Sequence, residues 1–522
     1  MPFHLPDCHD PYSVGATTFV TPVRPSRIYS SARLPNGQPA LVLDEVAFTA
    51  YYPADMADKP WTLRLGIDWL NRPLNETWRG FIDFASQRFP PWLLWASVYL
   101  FAAFIQVPVY RNAPLLRTKQ WPLVVFSHGL AGTSTAYSQI CSRIAASGRV
   151  VLAIEHRDGT APACITRKWI IDNIRTPRVA RYLREEDIIK DHLSDSQYPL
   201  RKLQLTFRKD EVYLAHSAFF SLVRKDENLL LETIDGSAID WDSWWAHENE
   251  AKPVQCVENI TFAGHSFGGC TTFHIISTEH PEWAAPISIT NALIFDPWID
   301  PLALPSPGNS GEDLKSSKEH FERLENIVRS WVTDGRLLTL ARARHESFSD
   351  YPLLPCIRTK TSLRFMNIIA RLSNAFLDNR LNDTLNTELM AEMEIEDVGK
   401  QNNRRPRKHI NGSPGNIVID FESGSPEPLV LSFGLYAVIS NLFGPPPEDT
   451  MPVIVVSKDL KSVQESNNSW DFFRELDDLK RIEEQYHEHV KPKLKPLLNP
   501  PAKKMSNYML DCKQKCPSNT NL

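Results

Sequence analysis

Residues 262–270 read FAGHSFGGC. Gly264-His265-Ser266-Phe267-Gly268 fits G-x-S-x-G, a motif with mechanical meaning when an apolar strand precedes it and a helix follows. The flanks meet that condition: ENITFAGHS has strand character and FGGCTTFHIIST has helix character. Small residues on both sides of Ser266 allow a tight turn that lifts the hydroxyl above a sheet. The alternative is a turn serine with no chemical role. A serine hydroxyl attacks a carbonyl only once a base accepts its proton, so the chemistry indicated is acyl transfer.

That chemistry needs a base, an orienting carboxylate and donors for an oxyanion. In a sheet-and-helix enzyme of this kind the order is serine, acid, histidine. Of the downstream histidines, His274 and His280 follow the serine too closely. His320 lies in an amphipathic helix, His409 in a basic stretch, and His487 and His489 on a charged helix face. His345 comes just after RLLTLA, in a loop at a strand end, where a catalytic histidine is needed. Asp296 directly ends the apolar ALIFD. Asp300 is its main rival, and Asp334, in a turn, is the weaker one. The backbone N–H of Phe267, next to the nucleophile, supplies one oxyanion donor. The loop SHGLAGT (127–133) supplies the other, with Leu130 as the candidate and His128 as a brace for the loop.

These residues need a scaffold that brings strand ends together. ALVLDEVAFTAYYPAD alternates as a half-buried strand, and WPLVVFSHGL (121–130) is an unbroken apolar run that suits a central parallel strand. TSTAYSQICSRIAASG follows with helical spacing and a closing Gly148, then RVVLAIEHRDG as the next strand. Strand, helix and strand joined by short connections predict an α/β fold with a mostly parallel central sheet flanked by helices. Residues 1–35 read as irregular, and 36–394 as the catalytic domain with a helical insertion at 165–250. Residues 395–428 read as a disordered linker, and 429–522 as a partly disordered extension with an apolar stretch at 429–443. WLLWASVYLFAAFIQV (92–107) falls short of the roughly 20 residues a bilayer span needs. It reads as a buried or lid helix, with peripheral attachment at a membrane surface as the alternative.

Composition narrows the classes. The 522 residues carry a net charge of −5 and are 42% hydrophobic, which fits a globular chain and gives no footprint for nucleic acid. The eight cysteines are scattered and read as reduced thiols. Cys512 and Cys516 form a lone C-x3-C with no second ligand pair, so no metal site is expected. The N-terminus lacks a basic start and a continuous apolar run. No secretory signal is read, and an intracellular, cytoplasmic location is expected, with membrane association left open.

PLVVFSHGLAGTSTAYSQICSRIAASGRVVLAIEHRDGTAPA, GHSFGG, LIFDPW and HESFSD together resemble the platelet-activating factor acetylhydrolase family, over roughly residues 40–375. The block at 62–118 is similar to the longer fungal-type members. The resemblance implies a calcium-independent serine esterase of the α/β-hydrolase fold that removes short or oxidised acyl groups from the sn-2 position of phospholipids. It needs no cofactor. By position it implies the triad Ser266, Asp296 and His345, the oxyanion donors Leu130 and Phe267, and Trp298 as an aromatic beside the acyl pocket. The alternatives are a general carboxylesterase or lipase, and a descendant of impaired activity that binds lipid or a partner.

The chain departs from the family in one place. Members carry an apolar strand between the aspartate turn and the helix before the histidine. Here that interval reads IDPLALPSPGNSGEDLKSSKEHFERL, which is polar and proline-rich. PVIVVS (452–457) could in principle fill the gap, but its long polar lead-in argues against it.

Overall fold

The computed structural model describes residues 3–9, 11–56, 65–85, 103–166, 178–189, 198–248, 250–302, 324, 336–340, 343–355 and 357–385, and the backbone of 393–396, 407–410 and 453–457. Everything described lies in one compact unit, residues 1–461.

Among the described residues, thirteen strands form one sheet. Its main strands are β1 (Val14–Arg33), β2 (Pro39–Pro53), β3 (Ile105–Arg111), β4 (Trp121–Ser127), β5 (Val150–Glu155), β6 (Ile260–His265), β7 (Ile289–Phe295), β8 (Arg336–Thr339) and β9 (Val453–Ser457). They lie side by side in the order β3-β1-β2-β5-β4-β6-β7-β9-β8. The centre, β5-β4-β6-β7, is parallel throughout. β1 and β2 form an antiparallel pair, and β2 runs antiparallel to β5. The α/β class expected from the strand and helix pattern is the class observed.

The centre is parallel because its strands are apolar on both faces and helices cover both. On one face, Val124 and Phe126 of β4 pack in a core with Ile140 and Ile144 of α2 (Ser138–Ala146) and with Phe365 and Ile369 of α5 (Lys360–Leu377). The helix α1 (Leu74–Ala85) joins the same core through Trp78 and Phe81. On the other face, Leu123 and Val125 pack with Phe207 and Phe219 of α3 (Pro199–Val223) and with Phe267 and Cys270 of α4 (Phe267–Ser277). Each large side chain buried this way stabilises the fold by roughly 1.5–3 kcal/mol. Cys8, Cys141, Cys164, Cys256 and Cys270 are buried. No helix among the described residues is long and apolar enough to cross a membrane.

Several expectations need correction. Residues 1–35 are not irregular, since β1 runs through Val14–Arg33 and pairs with β2. The strand contains Pro22 and Pro25. They are tolerated because the ladder breaks register between Pro22 and Arg27. The stretch 92–107, read as a buried or lid helix, is not helical at its described end. Ile105 and Val107 belong to β3, where they and Val109 are buried, while 92–102 lie outside the described residues.

The insertion at 165–250 contains the long helix α3 but is not purely helical. Val179–Arg181 pairs with Ala163–Ile165, and Glu232–Thr233 adds to β1. In the stretch read as a disordered linker, Arg407–Ile410 pairs with Met393–Glu396. The apolar segment 429–443 lies outside the described residues.

The gap after β7 is filled by β9. It pairs antiparallel with β7 (Phe295 opposite Ile454) and antiparallel with β8 (Leu338 opposite Ile454). Two reversals restore direction, so β8 runs in the same sense as β7 and ends at the same rim. Val455 lies between Ile294 and Leu337. Proline at 455 removes a ladder N–H in the sheet interior, and Val455→Pro should destabilise the fold by roughly 2–4 kcal/mol. Denaturant unfolding measures this. An unchanged midpoint would mean that the strand is not part of the sheet.

Candidate active site

β4, β6 and β7 end level with one another, with Ser127 beside Gly264 and His265 beside Phe295. Ser266 follows β6 and immediately precedes α4. It has φ 56° and ψ −120°, a conformation that non-glycine residues adopt only when their surroundings enforce it. Its N–H donates to the Phe295 carbonyl (3.0 Å), and its own carbonyl accepts from the N–H groups of Cys270 (3.0 Å) and Trp298 (3.1 Å). Glycine is required on both sides because backbones meet there. A Cβ on Gly264 would overlap the Gly268 carbonyl, and one on Gly268 would overlap the Ser127 carbonyl.

Asp296 directly follows β7 and also has positive φ, 36°. Its Oδ2 lies 2.5 Å from His345 Nδ1. The rival Asp300 instead accepts from the Trp298 indole N–H at 2.9 Å. Asp334 lies outside the described residues, as do His320, His487 and His489. His280 Nδ1 lies 3.1 Å from its neighbour's carbonyl, at Pro281, and His274 Nε2 is buried in α4 without a partner. Of the candidate acids and bases, the structure brings together Asp296 and His345. The His345 ring lies against the ring of His265, the residue before the serine, at 4.4 Å between centroids.

His345 opens a short 3-10 turn, and the chain after it is tied to the loop after β4. The Asp350 N–H donates to Ala136 O (2.8 Å), and the Tyr351 hydroxyl donates to Ala131 O (2.9 Å). The Asp350 carboxylate accepts from the N–H groups of Ser138 and Gln139 at the start of α2, from the Ser138 hydroxyl and from the Trp69 indole. Burial pushes this carboxyl up to about 6, against the lowering pull of those donors.

The loop after β4 is equally fixed. Burial and then the charge of Arg208 bring His128 down to about 4, so its ring is neutral. Its Nε2 accepts from the His156 N–H (3.1 Å), which leaves Nδ1 to donate to the Gly129 carbonyl (2.8 Å). That carbonyl also accepts from Gly132 N–H at 3.2 Å. The peptide carrying the Leu130 N–H is therefore held by its oxygen. The Gly129 N–H donates to the Tyr137 hydroxyl (3.2 Å), which donates in turn to His265 Nδ1 (2.8 Å). Phe267 begins α4, where the first N–H groups have no partner within the helix. Trp298 is half-buried, with its ring 5.9 Å from Phe267 and edge-on to Tyr198 at 5.2 Å.

Residues that motif reading did not single out surround this rim: Tyr137, His156, Asp158, Arg208, Glu211 and Asp350. The available signal was the spacing of Arg201, Gln204, Arg208 and Glu211, which sets polar groups along one face of α3. All four are buried, at 5% exposure or less.

With this geometry in view, the comparisons with known proteins carry weight. The family model for platelet-activating factor acetylhydrolase, isoform II, matches residues 5–394. The chain belongs to that family. A platelet-activating factor acetylhydrolase from Gallus gallus is 27% identical over 47% of this chain and 57% of its own length. The protein of that name from Canis lupus familiaris is 27% identical over 58% of this chain and 62% of its own. The matches thus span about three fifths of these relatives. A ferulic acid esterase from Streptomyces cinnamoneus overlays with a TM-score of 0.41 at 14% identity, covering 73% of this chain and 94% of its own, too loosely to carry an argument.

His345 is subject to opposing influences. Burial, the largest single influence, lowers its pKa, but the Asp296 charge, the Asp296 hydrogen bond and the Glu346 charge together raise it more, so the net shift is upward. A base works when neutral, so activity should rise with pH through a midpoint above the ordinary histidine value. Asp296→Asn removes the larger raising influences and leaves that of Glu346. Its acid limb should move to lower pH while kcat falls by about 10³-fold or more. A pH–rate profile of both forms checks this. A limb that stays in place would detach Asp296 from His345.

Proposed function

We propose that this chain is a serine ester hydrolase acting on platelet-activating-factor-like phospholipids, cleaving the short or oxidised acyl ester at sn-2. The observation that carries the reading is the Asp296–His345 pair at 2.5 Å, on the rim where Ser266 is held on a positive-φ turn. Family membership and the names of the matched relatives support the substrate class.

His345 takes the proton of Ser266 as Oγ bonds to the ester carbonyl carbon. The carbonyl oxygen becomes an anion, and the N–H groups of Leu130 and Phe267 receive it. The anion collapses, the bond to the sn-2 oxygen breaks, and His345 returns its proton to that oxygen as the lyso-phospholipid leaves. A water molecule then gives a proton to His345 and attacks the acyl-serine. The short acid departs and Ser266 regains its hydrogen. Asp296 holds the Nδ1–H tautomer and stabilises the imidazolium between steps. Trp298, fastened to the Ser266 carbonyl through its own N–H, walls the acyl side and limits chain length.

Ser266→Ala should lower kcat for a short-chain ester by at least about 10³-fold and abolish covalent labelling by an organophosphonate, with the melting temperature unchanged. Retained turnover would refute the assignment. Trp298→Ala should raise the turnover of long-chain sn-2 phospholipids relative to the acetyl ester by roughly tenfold, one or two methylene groups' worth of discrimination. Equal loss on both substrates would remove Trp298 from the pocket wall.

A further inference from the structure

One fully buried ion pair stands behind the two peptides that would bind the oxyanion. Arg208 of α3 and Asp158 have no exposed side-chain surface, and Nε of the guanidinium lies 2.8 Å from Asp158 Oδ2. Nη2 donates to the Thr160 hydroxyl at 2.6 Å. Nη1 faces three acceptors: the His128 carbonyl (2.7 Å), Thr271 Oγ1 (3.3 Å) and Ser127 Oγ (3.4 Å). Thr271 donates to the Phe267 carbonyl at 2.9 Å. The guanidinium carbon also lies 4.6 Å from the centroid of the Phe267 ring.

These contacts run to both halves of the hole. One side leads through the His128 carbonyl to the Gly129–Leu130 peptide, and the other leads through Thr271 and the Phe267 ring to the first turn of α4. Lysine could not substitute, because a single ammonium cannot reach acceptors spread around a planar fork. Carbonyl polarisation depends on donors placed within a few tenths of an ångström of where the anion forms, so a brace between the two peptides has catalytic leverage.

We propose that Arg208 is a positioning residue that fixes the spacing and direction of the Leu130 and Phe267 N–H groups from behind. The inference rests on the reading of Ser266 as nucleophile and of these two N–H groups as the oxyanion donors. Arg208 is fully buried, and its hydrogen bonds go to Asp158, Thr160, His128, Thr271 and Ser127 rather than to Ser266. Its neighbours on α3 support the same loop: Glu211 binds His156 Nδ1 (2.8 Å) and the Arg157 N–H (2.7 Å), and Gln204 donates to the Asp158 carbonyl (2.7 Å).

A buried ion pair destabilises the fold when one partner is removed, whatever else it does, so stability alone does not decide the matter. The test uses the full chain with Arg208→Lys and with the charge-balanced double variant Arg208→Met/Asp158→Asn, which keeps the question open should the lysine variant fail to fold. Active sites are counted by phosphonate titration, so that unfolded protein drops out. Each form is assayed for kcat and KM on a short-chain ester, and for inhibition by a trifluoromethyl ketone that adds to serine as an oxyanion. The expected result is a tenfold to hundredfold loss of kcat per active site, with KM within about threefold and ketone affinity lost in proportion to kcat/KM. Variants that are labelled, and whose kcat and ketone affinity stay within about twofold of the parent, would overturn the proposal and leave Arg208 a structural residue. A parent protein that the phosphonate does not label at Ser266 would overturn the underlying reading, and this one with it.

Discussion

The backbone at Ser266 sits in a conformation that costs energy, and much of the rim serves to enforce it. A residue with a side chain at φ 56° persists only when its neighbours leave no alternative. Three backbone hydrogen bonds fasten the turn, one through the Ser266 N–H to Phe295 and two through its carbonyl. Close packing supplies the rest, because Gly264 and Gly268 let β6, the turn and the end of β4 touch at backbone distance. The strain is local, and its support comes from three strands and the start of a helix.

Charge is arranged around the turn with opposite effects on its two sides. Behind the serine, burial and the Arg208 charge keep His128 neutral, and His156 is likewise driven well down. Neutral rings there fix tautomers, so each imidazole both gives and receives a single hydrogen bond. In front, Asp296 overrides burial and lifts His345. One set of imidazoles is thus held neutral as bracing, while His345 is shifted the other way. The helix α3, which belongs to the inserted stretch between β5 and β6, supplies the counter-charges for the bracing set, so this insertion is part of the foundation of the site.

What the sequence made readable follows from distance along the chain. Ser266 and Asp296 each sit directly at the end of an apolar run, so their placement was local information. His345 emerged by elimination among histidines, since most others sat in settings that faced solvent. Trp298 came only from family likeness. Arg208 stayed hidden because its partners lie 48 to 81 positions away, and a charged residue in a long helix reads as surface until the covering layer is known. The first strand, read as irregular, carries Pro22 and Pro25, and only the pairing register shows that they fall at its break. The place of PVIVVS was suggested by a vacancy in the pattern, but nothing local specifies antiparallel entry between two strands made long before it.

That entry has a consequence for assembly. Val453 pairs with Thr339, and Ser457 with Ala292. During synthesis, both walls of this slot leave the ribosome more than a hundred residues ahead of the strand that must wedge between them. Contacts so distant in sequence form slowly, because a large loop has to close first. The nucleophile's side of the rim can take shape while the chain is still being made. The edge that carries His345 must wait for the wedge, so this side of the rim closes only after Val453–Ser457 has been made.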